Sequence, residues 1–221
     1  MRTRTILAAA AFAVAIIVPA QANAATLRVV TPTKTLYGAT DTQVGSTRAY
    51  LDSAGKPHAL KANTALGQLV AAAGWTGTSI AAGYSAGLGA YVSKIAGVAA
   101  PKSGYWALFV NGLPAAVGAD SQVLTKSDRV IWIADNDYSV KNGPYVYDLT
   151  ATKNSDGTVT FTGMKVGGHK PLPAAGVALS VTGVLGATLN ARGQTTLTVP
   201  EHWTASIGTT GSIAGSEILN G

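Results

Sequence analysis

Gly83-Tyr84-Ser85-Ala86-Gly87 matches the G-x-S-x-G pattern of a serine nucleophile, with Asp120 and then His169 or His202 following in the order that acyl-transfer triads of this type use. The chemistry would be attack by the Ser85 hydroxyl as a histidine, oriented by the carboxylate, takes its proton. That mechanism needs a strand before the serine and a helix after it, so that the nucleophile stands on a sharp elbow. Gly- and Ala-rich sequence flanks Ser85 instead, and a chain with 26 glycines yields such strings by chance. Serine hydrolysis therefore ranks third among the functional readings, and no catalytic residue is assigned.

Metal chemistry has less behind it. His58, His169 and His202 are widely separated, without the spacing that presents two imidazoles to one ion, and are read as surface or turn residues. Asp135-Asn136-Asp137 begins like a calcium loop, but Val140 stands where such a loop needs Gly and Val146 where it needs a bidentate Glu. No metal and no cofactor are expected. The ten acidic residues form no local pair framed for glycoside hydrolysis.

Aromatic side chains offer binding chemistry. Strand alternation puts Tyr105, Ala107 and Phe109 on one face and Trp106, Leu108 and Val110 on the other, so a single sheet leaves one of these faces to be covered by something else. Tyr84 and Tyr91 lie among flexible glycines that let a planar group approach. Tyr84, Tyr91 and Trp106 are the ligand-contact candidates, Trp106 being weighed also as a core residue and as a contact between domains.

The elements that must position these rings follow from pattern. Leu27 to Val30, Thr35 to Ala39 and Arg48 to Leu51 read as strands, the last ending in the turn Asp52-Ser53-Ala54-Gly55. One helix follows: Asn63 or Thr64 can cap it, Leu66, Leu69, Val70 and Ala73 form its apolar stripe, and Gly74 can end it. Trp75 to Ser103 reads as a long, partly ordered, Gly-rich connection. Asn111-Gly112 suits a two-residue hairpin turn with positive φ at both positions, and Asp120 suits the capture of backbone N–H groups. Arg129 to Ala134 closes the first domain. Beyond the linker 141–144, six or seven short strands separated by turns such as Asn154-Ser155-Asp156-Gly157 predict an all-β sandwich.

Arg2 and Arg4, the apolar run Ile6 to Val18 and the small-residue site Ala22-Asn23-Ala24 predict a secretory signal peptide over 1–24. Its removal leaves 197 residues (221 − 24) with 14 basic and 10 acidic side chains, a net charge of +4. The basic residues are scattered singly, which argues against nucleic-acid binding. Charged residues make up 12%, against about 25% in typical soluble domains, so the surface is bland. With no cysteine, the core and backbone hydrogen bonds must hold the fold without disulfides.

The order of "TALGQLVAAAGW", "GLGAYVSKIAGV" and "YWALFVNGLPAAVGADSQVLTKSDRVIWIADND" resembles the transcobalamin-like C-terminal domain family over residues 27–137, most specifically at Tyr105-Trp106, Asn111-Gly112, Gly118-Ala119-Asp120 and Asp128. Many members have Gly where Ser127 stands. The resemblance implies a small β-grasp-like fold with a ligand-facing loop. Corrinoid binding is implied only weakly, because the large helical barrel of cobalamin carriers has no counterpart in this chain. Residues 145–219, through "PLPAAGVALSVTG" and "LNARGQTTLTVP", resemble a bacterial immunoglobulin-like or carboxypeptidase-regulatory-like module.

The combined expectation is an α+β chain: signal peptide 1–24, a β-grasp-like domain with one main helix over 25–140, linker 141–144, and an immunoglobulin-like β-sandwich over 145–221. It predicts an extracellular, monomeric, non-catalytic binding protein, released or loosely associated with the cell wall, without a transmembrane segment after signal cleavage. The first domain would hold a small molecule or cell-surface glycan in an aromatic, Gly-lined groove. The rival expectation is a structural or adhesive protein with no small-molecule pocket.

Overall fold

The computed structural model describes residues 25–31, 34–41, 48–76, 80–100, 106–134, 145–208 and 215–219. The signal-peptide segment 1–24, Tyr105, the Asp135-Asn136-Asp137 run and the linker 141–144 lie outside the described residues. No described helix is long and apolar enough to cross a membrane. The described chain is mostly strand with a single short helix, distributed over several sheets.

The first half runs β1 (Thr26–Val30), β2 (Thr35–Asp41), β3 (Arg48–Leu51), β4 (Pro57–Leu60), α1 (Ala65–Thr76), β5 (Ile80–Ser85), β6 (Gly89–Ile95), β7 (Val98–Ala99), β8 (Ala107–Val110), β9 (Leu113–Pro114) and β10 (Arg129–Ile133). Its main sheet has the order β2-β1-β10-β8-β9, with β1 and β10 parallel at the centre and the other pairs antiparallel. Alternation sorts the central strands into two apolar faces. Leu27, Val29, Val130, Trp132, Leu108 and Val110 face α1, whose Ala65, Leu66, Leu69 and Ala72 complete that core.

The start of α1 is held from outside as well as from within. Thr64 is the cap: its hydroxyl accepts the Gly67 N–H at 3.2 Å. The Ala65 and Leu66 N–H groups, which no helix turn can satisfy, donate to the carbonyls of Gln122 and Ala119 at 2.9 Å each. At the other end the helix continues through Gly74 to Thr76, where the sequence had predicted a stop. Glycine only permits the left-handed ending, and favourable packing of the preceding turns carries the helix past it.

The Gly-rich stretch read as a loose connection is an antiparallel sheet of β5, β6 and β7. Its turns are built from the residues that suggested disorder: Gly87 lies within the first and Gly89 directly follows it, with φ of 87° and 85°, and Ala96 and Gly97 form the second with φ of 54° and 74°. Inward-facing Ala90, Val92 and Ile95 join the helix-side core.

The second half runs β11 (Val146–Lys153), β12 (Val159–Val166), β13 (Leu172–Pro173), β14 (Ala178–Val181), β15 (Val184–Thr188), β16 (Gln194–Leu197), β17 (Thr204–Ile207) and β18 (Ser216–Leu219). One sheet holds β11-β12-β13 with β16 also on β12, and the other is β15-β14-β17-β18. They enclose a core that includes Leu149, Leu179, Leu189 and Ile207, and in which Phe161 meets Trp203 edge to face, with centroids 5.0 Å apart. This is a β-rich sandwich.

The second face of the main sheet is covered by this sandwich. Val30, Ala107, Phe109, Ile131 and Ile133 form one buried cluster with Val146 and Val166. Arg28, buried on the same face of β1, donates to the carbonyl oxygens of Tyr147 and Gly215. Burial lowers its pKa to about 10, opposed by nearby Asp148, so it stays charged at neutral pH. Arg129 donates Nε and Nη2 to one Asp148 oxygen at 3.1 and 2.9 Å.

Candidate functional site

The site begins at the turn between β3 and β4. Asp52 Oδ1 accepts the N–H groups of Ala54 and Lys56, each at 2.9 Å, which shapes the turn, and Oδ2 lies 2.8 Å from His58 Nε2. The bond from His58, then that from the Lys56 N–H, holds the Asp52 carboxyl below the usual carboxylate range. Counting outward from the turn makes Tyr50 and His58 cross-strand partners, and their rings stack at 5.2 Å with 23° between planes.

A parallel bridge between Asp52 and Ala82 brings this hairpin beside β5. Tyr84 thereby stacks on His58 as well, at 4.2 Å and 19°. The result is a three-ring stack, Tyr50–His58–Tyr84, with the imidazole in the middle and fixed in plane by a carboxylate. Tyr84 remains 45% exposed. The Tyr50 hydroxyl is buried with no hydrogen-bond partner among the described residues. Burial, then the charges of Asp120, Tyr84 and Asp52, push its pKa up to about 12, so it stays protonated.

Asp120 reaches the same corner from the turn before β10. Its Oδ1 accepts the Ala90 N–H at 2.8 Å, and the Ala119 N–H donates back to the Ala90 carbonyl at 3.0 Å. Ala90 is the cross-strand partner of Tyr84, and because its N–H and carbonyl both turn to residues 119–120, Asp120 lies along the edge of β6 away from β5. Asp120 does satisfy a backbone N–H, but on another strand rather than in its own turn.

The three predicted contact residues are not brought together. Gly83 pairs with Tyr91 and Tyr84 with Ala90, adjacent positions that send Tyr91 and Tyr84 to opposite faces of the sheet. The Tyr91 ring, 39% exposed, lies over Gly83, where an added Cβ would fall 2.3 Å from its Cζ. Trp106 is only 2% exposed and belongs to the helix-side core, its indole N–H donating to the Val98 carbonyl at 3.3 Å. These three side chains therefore do not line one groove.

Ser85 sits at the end of β5, opposite Gly89, and its carbonyl accepts the Leu88 N–H at 3.1 Å. The G-x-S-x-G string is thus a hairpin turn and not a strand-to-helix elbow. Both His169 and His202 are exposed residues of the second half. Among the described residues no group of three or more His, Asp or Glu side chains is placed to hold a metal.

Sequence reasoning missed His58, placed at the surface by default but half-buried between two rings, together with Tyr50 and Asp52. The available signal was the Asp52-Ser53-Ala54-Gly55 turn, from which a hairpin pairing Tyr50 with His58 could have been counted. Pro57, which cannot donate to a ladder, hid the second strand.

Neither curated proteins nor solved structures include a significant match to this chain. Residues 67–136, from the first turn of α1 through β10, match the family described as Domain of unknown function (DUF4430).

Proposed function

We propose that this is a secreted, non-catalytic binding protein whose first half recognises a small molecule or cell-surface glycan through the Tyr84 surface. The observation that carries the reading is the exposed Tyr84 ring, stacked on His58 while His58 is oriented by Asp52. A free-standing tyrosine loses rotamer freedom when a ligand stacks on it; a ring already stacked has less to lose. The strand order β2-β1-β10-β8-β9 with a central parallel pair and one helix against it supports a β-grasp-like domain of the transcobalamin-like kind. In this reading the second half is an immunoglobulin-like module that sets the orientation of the first, supported by the buried cluster they share.

Calorimetric titration of the purified protein with cobalamin and with soluble cell-wall glycan fragments tests the proposal. A saturable heat with one of them, lost in Tyr84→Ala and kept in Tyr91→Ala, is the expected result. Absence of saturable binding to every ligand would remove the binding role and favour the adhesive alternative.

A further inference from the structure

We infer that the Tyr84 surface seats an alkylammonium group, the cationic part of an amine-bearing ligand, with Asp120 as its counter-charge. The inference rests on the binding role proposed above and narrows it to one chemistry. One side of the Tyr84 ring is occupied by His58, and nearly half of the residue meets solvent. An aromatic face carries negative charge density and attracts cations, most strongly when a carboxylate adds its own field. Asp120 supplies that field from across β6: its Oδ1 is bonded to the N–H of Ala90, the residue opposite Tyr84, on the edge of the strand away from β5.

Asp120 is only partly committed. Its Oδ1 takes the Ala90 N–H and a long contact of 3.5 Å from the Ser121 hydroxyl, and among the described residues Oδ2 accepts no hydrogen bond and no Lys or Arg pairs with the carboxylate. The Tyr50 hydroxyl, whose pKa is raised first by burial and then by Asp120, lies within electrostatic reach of that carboxylate. An anionic ligand would meet Asp120 in repulsion, and a neutral one would gain stacking alone.

The amine could come from a free small molecule or from an amino sugar within a glycan, and the two are separable by titration. The probes are choline, a glucosamine oligosaccharide, and the matching N-acetylglucosamine oligosaccharide, which keeps the sugar ring but removes the charge. Choline or the glucosamine oligosaccharide should bind saturably, and the acetylated oligosaccharide at least about tenfold more weakly. Asp120→Asn keeps an oxygen for the Ala90 N–H, so the fold should survive, as an unchanged melting curve would verify. It should weaken amine binding about tenfold and leave any binding of the acetylated sugar unaltered. Tyr84→Ala should abolish amine binding, whereas Tyr91→Ala, on the opposite face, should not change it.

Equal affinity for the charged and acetylated oligosaccharides, or an Asp120→Asn protein that binds amines as before, overturns the ammonium inference. The broader binding role survives either result if affinity still depends on Tyr84. Failure of all three probes, with cobalamin and wall fragments also silent, removes both.

Discussion

Gly118 is defined by the space its missing side chain leaves. A Cβ there would lie 2.1 Å from the Leu88 carbonyl oxygen and 2.9 Å from the Gly89 Cα, both backbone atoms that cannot swing aside. Gly118→Ala should therefore cost about 2 kcal/mol or more in urea unfolding, a loss of the kind overpacking produces. Asn111 and Asp128 form a second fixed point. Asn111 and Gly112 have φ of 53° and 83°, as their dipeptide predicted, and Asn111 Nδ2 donates to Asp128 at 2.7 Å. Burial raises the Asp128 carboxyl, but the Thr125 N–H, the Asn111 amide and the Thr125 hydroxyl together outweigh it and leave the pKa lowered. Asp52 is lowered as well, chiefly by His58. Carboxyls depressed in the folded state stabilise it above their unfolded pKa of about 3.9 and lose that contribution as pH falls through the folded values. The melting temperature should therefore hold between about pH 7 and 5 and fall below about pH 4, and Asp128→Asn should shrink the fall while lowering the neutral-pH value. Turn residues such as Asn111 were legible because one dipeptide dictates its own backbone. The ring stack was not, because His58 acquires its role only when Asp52 bridges to Ala82, on a strand from another part of the chain.

Among the elements, α1 was legible from Thr64 and its apolar spacing, whereas β5 to β7 were not. The alternation that marks a strand is broken at Ser93, the extra residue where Ala82 pairs with Val92 but Ala81 pairs with Lys94. Small residues carry much of the inward face, so Ala82 and Ala90 gave no apolar signal to set against the glycines. The same hairpins hold a correctable strain. Ala96 has a φ of 54°, which alanine tolerates poorly and asparagine tolerates well. Ala96→Asn should raise stability by about 0.5 to 1 kcal/mol in chemical denaturation, provided the turn persists; a loss would mean that the Ala96 side chain's packing on the helix-side core outweighs the backbone gain.

Over the whole molecule, the sequence indicated that the main sheet had two apolar faces, through Trp106, Leu108 and Val110 against Ala107 and Phe109, but not what covered the second. Alternation reports that a side chain is buried and never by which partner. The partner is the C-terminal sandwich, through Val146 and Val166, with Arg28 tying β1 to the carbonyls of Tyr147 and Gly215. The two halves should accordingly melt as one unit. Phe109→Ala should cost about 3 to 5 kcal/mol and move a single calorimetric transition to lower temperature. Two resolved transitions, with only one displaced, would mean that the shared cluster does not couple the halves.

The parallel pairing of Thr26–Val30 with Arg129–Ile133 also bears on how the protein comes into being. The first strand and its central neighbour lie about a hundred residues apart in the chain, so one flank of the first strand stays uncovered until that long-range pairing closes. A partly folded chain in that condition offers an adhesive edge to its neighbours, so refolding at high protein concentration should favour aggregation over the native pairing.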